Sequence, residues 1–352
     1  MKNKMYAALA AMVLATAAFA QDFPAYLKMD GMKITGCDKD DLPDNLVIPD
    51  SVTEIGSNAF TECMYLESVV IPGSVTVIGD GGFRDYWRYR DDGGYRGGAF
   101  EGCTSLKSVT LSEGITKIGE KAFSGCVSLA DITIPEGVTE IGDRAFMGCT
   151  SLASVTIPGS VKTIGDNAFS GCTSLKSVTL AEGVEQIGGY SGCTSLESIE
   201  IPGSVTAIGQ RAFDGCKSLA SITIPESVTE IGGGAFYGSG LKTVTIPKGV
   251  KTIDIYAFQN CKSLESVTLP RGVTAIGTDA FEGCTSLKSV SIPRSVTKID
   301  DYAFSNCDNL TVQYDGTKAQ WEAIKKRGPW GWGIGSFAVH CSDGEFSKQW
   351  WL

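Results

Sequence analysis

The feature that most constrains this chain is a unit of 23 residues that repeats along most of its length. The copy at 126–148 reads C-x-x-L-x-x-V-x-I-P-x-x-V-x-x-I-G-x-x-A-F-x-x, with isoleucine in the first valine position. It recurs from about Leu46 to Leu310, and cysteines mark its period at 103, 126, 149 and 172. A fixed period of this length is typical of an array in which each repeat forms one structural turn.

The first half of the unit has the pattern of a short β-strand. Leu129, Ile132 and Ile134 have the spacing of a strand with one apolar face. Pro135 should end it, because proline donates no ladder hydrogen bond. The later valine and isoleucine then point inward along the return path, and the alanine–phenylalanine pair fills the interior.

A single unit of this kind is too small to fold alone. Burying six or seven apolar side chains at about 1.5–3 kcal/mol each yields roughly 10–20 kcal/mol. Ordering the backbone costs about 1–2 kcal/mol per residue, which is more than this over the whole unit. Neighbouring turns must supply the rest. The sequence therefore predicts a repeat solenoid: a right-handed coil of about 11 turns, mostly β and loop, with one short parallel strand per 23-residue turn and one short C-terminal helix.

The position after the second isoleucine carries a conformational prediction. Glycine occupies it in nine units, and Asp254 and Asp300 occupy it in the other two. Glycine, and after it asparagine and aspartate, best tolerate a positive φ angle. The pattern predicts a left-handed backbone there.

The repeated motif L-x-x-V-x-I-P-x-x-V-x-x-I-G-x-x-A-F-x-x-C resembles the BspA-like branch of leucine-rich repeats, over roughly residues 30–345. That branch is typical of surface and secreted proteins of host-associated bacteria and some protists. The resemblance implies adhesion or binding to a host protein, for instance of the extracellular matrix. It transfers no ligand site to particular residues.

The first 20 residues have the pattern of a secretory signal peptide. Lys2 and Lys4 precede an apolar run that ends at Ala18–Phe19–Ala20, which predicts cleavage before Gln21. The run is too short for a comfortable membrane span. We therefore expect an exported protein, extracellular or on the cell surface, with the periplasm as the alternative. Removing two lysines takes the net charge from −10 to −12, which argues against nucleic acid and anionic membranes as partners.

The rest of the chain divides around the repeats. We assign 21–45 to an N-terminal cap, 46–310 to the solenoid, 311–345 to a C-terminal cap and 346–352 to a tail. Within the second cap, 317–327 is predicted as a helix because Thr317 and Gln320 form a capping-box pattern, and Phe337–Cys341 as a last strand.

One repeat is interrupted by an insertion, residues 80–98, where two residues are expected. The turn at 187–190 has lost two residues in the same place, so both changes should lie on the return side of the coil. Aromatic and arginine side chains of this kind are enriched at binding hot spots. The insertion is therefore the candidate ligand-binding site, and the alternative is a loop folded over its own solenoid. Its candidate residues are Phe83, Arg84, Tyr86, Trp87, Arg88, Tyr89, Arg90, Tyr95 and Arg96.

The 12 cysteines leave two interpretations open. An exported protein normally oxidises its thiols, yet the repeated cysteines follow a buried pair and would suit small buried hydrophobes. We expect no metal and no cofactor, since the chain has one histidine and no C-x-x-C motif. Catalysis is not expected either, because His340 and Cys341 are adjacent in a strand and should face opposite ways. The acidic residues Glu113, Glu136 and Glu182 recur at one turn position and form a solvated stripe.

Serine and threonine rows should cover the outer strand face, as a soluble sheet surface or as a second binding site. The function predicted is a non-catalytic, secreted or cell-surface bacterial adhesion protein that binds a host or extracellular protein or glycan. The alternative is a self-assembling scaffold of the cell envelope or extracellular matrix. The sequence leaves the ligand and the oligomeric state open.

Overall fold

The computed structural model describes residues 23–79, 97–308, 310–334 and 338–346. The chain forms a β-solenoid of about 12 turns with a period of about 23 residues and almost no helix. Eleven of these turns were expected from the repeats. The C-terminal cap adds the further one, since Trp330 takes the position of the alanine and accepts a hydrogen bond from the Phe304 amide at 2.8 Å.

All but one of the described turns contribute a first strand to one side of the solenoid, and the exception is the turn at 221–224. Neighbouring first strands are parallel and pair one repeat apart, as Val155 pairs with Val178. The valines and isoleucines at the inward positions of the repeat are buried, as predicted. The first strands are β3 Asn45–Val47, β5 Ser68–Ile71, β7 Ser108–Leu111, β9 Asp131–Ile132, β11 Ser154–Ile157, β12 Ser177–Leu180, β14 Ser198–Glu200, β17 Thr243–Thr245, β19 Ser266–Thr268, β21 Ser289–Ile292, β23 Thr311–Tyr314 and β25 Ala338–Cys341.

The chain then turns and forms a second, two-residue strand, except at 163–164, where only isolated bridges form. In the turn, the amide of Val138 donates to the carbonyl of Pro135 at 3.1 Å. The second strands are also parallel, and their isoleucines are buried. They are β4 Glu54–Ile55, β6 Val77–Ile78, β8 Lys117–Ile118, β10 Glu140–Ile141, β13 Gln186–Ile187, β15 Ala207–Ile208, β16 Glu230–Ile231, β18 Thr252–Ile253, β20 Ala275–Ile276, β22 Lys298–Ile299 and β24 Lys325–Lys326.

The third side consists of the phenylalanine turns, the segments that run from the glycine after each second strand to the cysteine. Each phenylalanine amide donates to the next turn's alanine carbonyl, as Phe123 does to Ala145 at 2.7 Å. Inside, one ring per turn lies in a continuous stack from Phe60 to Phe304, with Tyr190 as the one tyrosine. Centroids of neighbouring rings are 4.9–5.7 Å apart. The stack ends where Trp330 meets Phe304 edge-on.

The prediction of a left-handed backbone after the second isoleucine was wrong. In that position only Gly79 has a positive φ, 57°, among the described residues. The left-handed residues are instead the one before the alanine, such as Arg144 at 55°, and the one before the cysteine, such as Gly148 at 72°. Glycine is used after the isoleucine because turns approach closely there: a Cβ on Gly142 would lie 2.6 Å from the amide nitrogen of Glu120.

Caps close both ends of the coil. At the N-terminal end, β1 (Leu27–Asp30) and β2 (Lys33–Cys37) form an antiparallel hairpin, and β2 then pairs with β4, the first of the second strands. The C-terminal helix α1 (Lys318–Ala323) begins with the predicted capping box. It ends earlier than predicted, because Lys325–Lys326 pairs with Lys298–Ile299 as the last second strand.

The predicted last strand is β25, which turns at 342–343 into β26 (Gly344–Phe346), antiparallel to it. Residues 347–352 lie outside the described residues, as do the predicted signal peptide and the cleavage position before Gln21.

Candidate functional site

The residues predicted for ligand binding belong to the segment 80–96, which lies outside the described residues. The segment contains all nine candidates: Phe83, Arg84, Tyr86, Trp87, Arg88, Tyr89, Arg90, Tyr95 and Arg96. They remain candidates on the sequence argument alone.

The two ends of the insertion are described, and they fix where it joins the solenoid. Gly79 directly follows the second strand β6, and the Gly97 amide donates to Asn58 Oδ1 at 2.6 Å. The insertion thus starts and ends in a phenylalanine turn. The shortened turn lies on the same side, where Gly189 has φ 89° and Tyr190 takes the ring position. Both length changes therefore lie on the return side, as predicted.

The outward side chains of the first strands form the predicted polar rows. Equivalent residues pair in register, as Ser154 with Ser177 and Thr156 with Thr179. These side chains are exposed, whereas the intervening valines are buried. At the N-terminal end the outer row changes to valine, with Val47 66% exposed. The exposed rows are Ser108/Thr110, Asp131/Thr133, Ser154/Thr156, Ser177/Thr179, Ser198/Glu200 and Ser221/Thr223.

The repeated cysteines are buried and free, as the interpretation as small buried hydrophobes predicts. Each donates from Sγ to the carbonyl of the preceding turn's ring residue, as Cys126 does to Phe100 at 3.2 Å. Burial raises the pKa of Cys149 and Cys193 to about 12. Since the nucleophile in thiol chemistry is the thiolate, these thiols are inert at neutral pH. They pack as small hydrophobes that also satisfy a carbonyl.

Cys37 extends this column, although the sequence placed it outside the repeats. Its Sγ lies 3.4 Å from that of Cys63, across the junction between the N-terminal cap and the first turn. Both thiols are free, and Cys37 is half-buried. The hydrogen bond with Cys63, together with burial, raises the pKa of Cys37 well above its ordinary value.

Other reactive groups are separated from one another. His340 is exposed, and its neighbour Cys341 is half-buried in β25. Glu113, Glu136 and Glu182 are exposed, as a solvated stripe requires. Within the described ranges, no group of three histidine, cysteine, aspartate or glutamate side chains is arranged to hold a metal ion. No helix in those ranges is long and apolar enough to cross a membrane.

Sequence reasoning missed a set of exposed aromatic side chains on the last phenylalanine turns. Tyr237, Tyr256 and Tyr302 are 37–41% exposed, and Trp332 is 63% exposed. The signal was available in the sequence: the tyrosines stand where other turns carry serine, asparagine, lysine or arginine. It was overlooked because a repeat analysis follows the positions that stay the same.

The parallel strands, the stacked interior and the 23-residue period define a leucine-rich-repeat solenoid. The family model for the BspA type leucine rich repeat region matches in six copies, over residues 40–89, 96–191 and 189–311. The chain belongs to this family.

Solved structures of other bacterial proteins are similar to this chain. A leucine-rich repeat protein from Bacteroides ovatus is 26% identical, over 89% of this chain and 92% of that one, with a TM-score of 0.61. A leucine rich cell surface protein from Faecalibacterium prausnitzii is 31% identical, over 87% and 99%, with a TM-score of 0.45. A leucine-rich repeat protein from Eubacterium ventriosum is 22% identical, over 91% of this chain and 90% of that one, with a TM-score of 0.49. No curated protein matches the chain.

Proposed function

We propose that this chain is an exported, non-catalytic bacterial binding protein that recognises a host protein or glycan through the outer surface of its solenoid. The observation that carries the proposal is the contrast between interior and exterior. Interior positions repeat the same apolar residues, almost all of them below 9% exposure. Variation is confined to the outside and to the insertion, which is where a solenoid's binding specificity normally lies.

Two features of the chain favour binding over catalysis. The buried cysteines keep their protons at neutral pH because burial raises their pKa, to about 12 in Cys307. The outer strand face is also broad and regular, which suits contact with an extended partner. Membership of the BspA-type family supports the same conclusion.

The insertion and the strand face are the two candidate contact regions, and paired variants distinguish them. Trp87→Ala with Tyr89→Ala removes two large side chains from the insertion. Thr156→Lys with Thr179→Lys places charge at the centre of the exposed strand face. Both are to be tested against purified extracellular-matrix proteins and a glycan array, with melting temperature as the control for folding.

We expect the parent to bind at least one matrix protein or glycan, and the insertion variant to bind it at least tenfold more weakly with unchanged melting. Loss of binding in the strand-face variant alone would show that the partner contacts that face instead of the insertion. A parent that binds neither the matrix proteins nor the glycans would contradict the proposed function.

One observation favours the scaffold alternative. The strand β3 begins the first-strand sheet, and its outer edge pairs with no other strand among the described residues. Open sheet edges are templates for pairing with another chain. If the chain self-assembles there, its mass in solution will increase with concentration, and Val47→Lys, at an exposed position on that strand, will keep it monomeric. A constant monomer mass would reject this alternative.

A further inference from the structure

Exposed aromatic residues are concentrated in one part of the solenoid. Of the five exposed tyrosine and tryptophan side chains in the described ranges, four belong to the last phenylalanine turns and the C-terminal cap; the fifth is Tyr65. Acidic side chains occupy intervening positions. We call this region the tyrosine–carboxylate surface, made up of Tyr237, Tyr256, Asp279, Glu282, Tyr302 and Trp332.

The stacking of turns places these residues in two adjacent rows. The row before the alanine contains Tyr256, Asp279 and Tyr302 in three successive turns. The row after the phenylalanine runs from Tyr237 to Trp332. The cap residue Trp332 joins this row because its carbonyl accepts from the Asn306 amide at 2.9 Å, as that of Ser305 does from Gly283.

The rows approach each other at a gap left by Gly234. A Cβ built there would lie 3.3 Å from the Cγ of Arg211, 3.9 Å from the Cβ of Tyr237 and 4.0 Å from that of Tyr256. The two tyrosines therefore flank a position that has no side chain of its own.

Tyr256 and Tyr302 occupy positions whose backbone conformation favours other residue types. Tyr256 and Tyr302 have φ angles of 60° and 57°, which are unfavourable for a bulky side chain. Asn58 and Asn167 fill the same position in other turns, and asparagine tolerates it well. No described residue forms a hydrogen bond with either tyrosine hydroxyl, and the rings are 38% and 41% exposed. Backbone strain without a hydrogen bond to the hydroxyl in return points to an external role.

The carboxylates of the surface are uncompensated. Glu282 accepts hydrogen bonds from the side-chain amides of Gln259 and Asn306, both at 3.0 Å, which fixes its position. Among the described residues, neither Glu282, Asp279 nor Asp301 forms an ion pair. Burial, followed by the charges of Glu282 and Asp301, raises the pKa of Asp279. A cation bound here would relieve this repulsion.

We propose that the tyrosine–carboxylate surface binds a lysine- and arginine-rich segment of a protein partner; this rests on the binding function proposed above and specifies one site for it. The buried ring centroids of these three successive turns are 5.3 and 5.2 Å apart, so the backbones of Tyr256 and Tyr302, two turns from each other, are about 10 Å apart. A cation midway between the two backbones would lie about 5 Å from each, beside Asp279, and an aromatic ring attracts a cation within roughly 6 Å of its centroid. A chain of net charge −10 also favours a basic partner over an acidic one or a second copy.

The test uses the full chain and a fluorescent twelve-residue peptide of alternating lysine, arginine and glycine, with a glutamine-substituted peptide as the neutral control. The ring variant is Tyr256→Asn with Tyr302→Asn. Asparagine tolerates the left-handed backbone at these positions, so the backbone should not change. Asp279→Asn removes the central charge. Arg144→Asn changes the same position in a distant turn, and Glu136→Gln removes an exposed charge elsewhere. Unfolding midpoints verify that every variant is folded.

We expect the parent to bind the basic peptide and not the neutral one. The ring variant should bind about tenfold more weakly and Asp279→Asn about fivefold more weakly, with both controls within twofold of the parent. Equal loss in Glu136→Gln would mean general attraction to an acidic protein and would overturn the proposal. So would parent-like binding by the ring variant, absence of peptide binding by the parent, or ring-dependent binding to a glycan array alone. Binding to matrix proteins by the parent is measured separately, so the broader function survives failure here.

Discussion

The inner and outer sides of the phenylalanine turns share one backbone and follow different rules. Inside, one ring from each turn between Phe60 and Phe304 is fully buried and lies within 10° of its neighbour's plane. Outside, the position before the alanine holds Lys121, Arg144, Asn167 or Tyr256, although its φ stays between 53° and 60° in the non-glycine cases. The interior therefore sets the backbone, and the exterior is free to differ wherever a residue tolerates that backbone. This freedom allows a new surface to arise in a few turns without altering the fold.

The largest effect is expected from breaking the inner side. Phe169 lies between Phe146, 5.2 Å away, and Tyr190, 5.6 Å away. Phe169→Ala should lower the free energy of unfolding by about 3–5 kcal/mol, because the stack cannot collapse around the cavity. Urea unfolding followed by circular dichroism measures it. The matched outer variant, Ser170→Ala in the next position, should stay within about 0.5 kcal/mol. Similar losses in both variants would contradict the division between the two sides.

A second prediction concerns the close approach of neighbouring turns. Gly142→Ala places a Cβ 2.6 Å from a backbone nitrogen, whereas a Cβ on Gly188, at the same position of the shortened turn, meets nothing within 4 Å. We expect Gly142→Ala to destabilise the chain by about 1–3 kcal/mol. Gly188→Ala should be neutral or stabilising by up to about 1 kcal/mol, since it restricts the unfolded chain. The same effect for both substitutions would show that crowding is not the reason for glycine.

These two pairs also show what the sequence could predict. The buried ring and the strand pattern follow from residue type and spacing, so the coil, its period and its interior were correct. The reason for Gly142 could not be obtained this way, because positive φ and crowding both select glycine, and only the distance to the next turn separates them. Lys325–Lys326 was assigned to the helix for a similar reason: its lysines suit a helix end, and pairing with β22 is a long-range contact.

In the candidate site, too, features set by local pattern were predictable and features set by contacts between turns were not. The polar strand rows were predictable because side chains alternate along a strand. Tyr256 and Tyr302 were not, because their significance depends on two residues 46 positions apart lying two turns from each other. Repeat analysis also favours what is constant, whereas a binding surface is where the repeats differ.

A third prediction removes the one irregularity inside the ring stack. The hydroxyl of Tyr190 is buried and has no hydrogen-bond partner among the described residues. A buried polar group without a partner costs about 1–3 kcal/mol. Tyr190→Phe, which restores the residue of the other turns, should therefore raise the free energy of unfolding by about 1 kcal/mol or more. Thermal and urea unfolding both measure this, and a destabilised variant would show that the hydroxyl has a partner in solution.

The smallest effect is expected on the outer side, from Asp279→Asn. Because burial and neighbouring carboxylates raise the pKa of Asp279 in the folded chain, the folded state favours the protonated form. Its charge therefore lowers stability above that raised pKa, and the penalty disappears as the pH falls toward the ordinary carboxyl value of about 4. Asp279→Asn should stabilise the chain at pH 7 by no more than about 0.5 kcal/mol, since the group is only partly buried and solvent screens its charge.

The pH dependence of that difference is the informative measurement. Unfolding curves of parent and variant should converge on acidification, and 1 M salt should reduce the difference at pH 7 because it screens Glu282 and Asp301. A stabilisation that is the same at every pH would instead come from the left-handed backbone, which asparagine tolerates better than most residues. In that case the repulsion is already relieved in the free protein. Binding of a basic partner would then gain nothing from relief of repulsion between the carboxylates, and its affinity for this surface would have to come from the tyrosine rings.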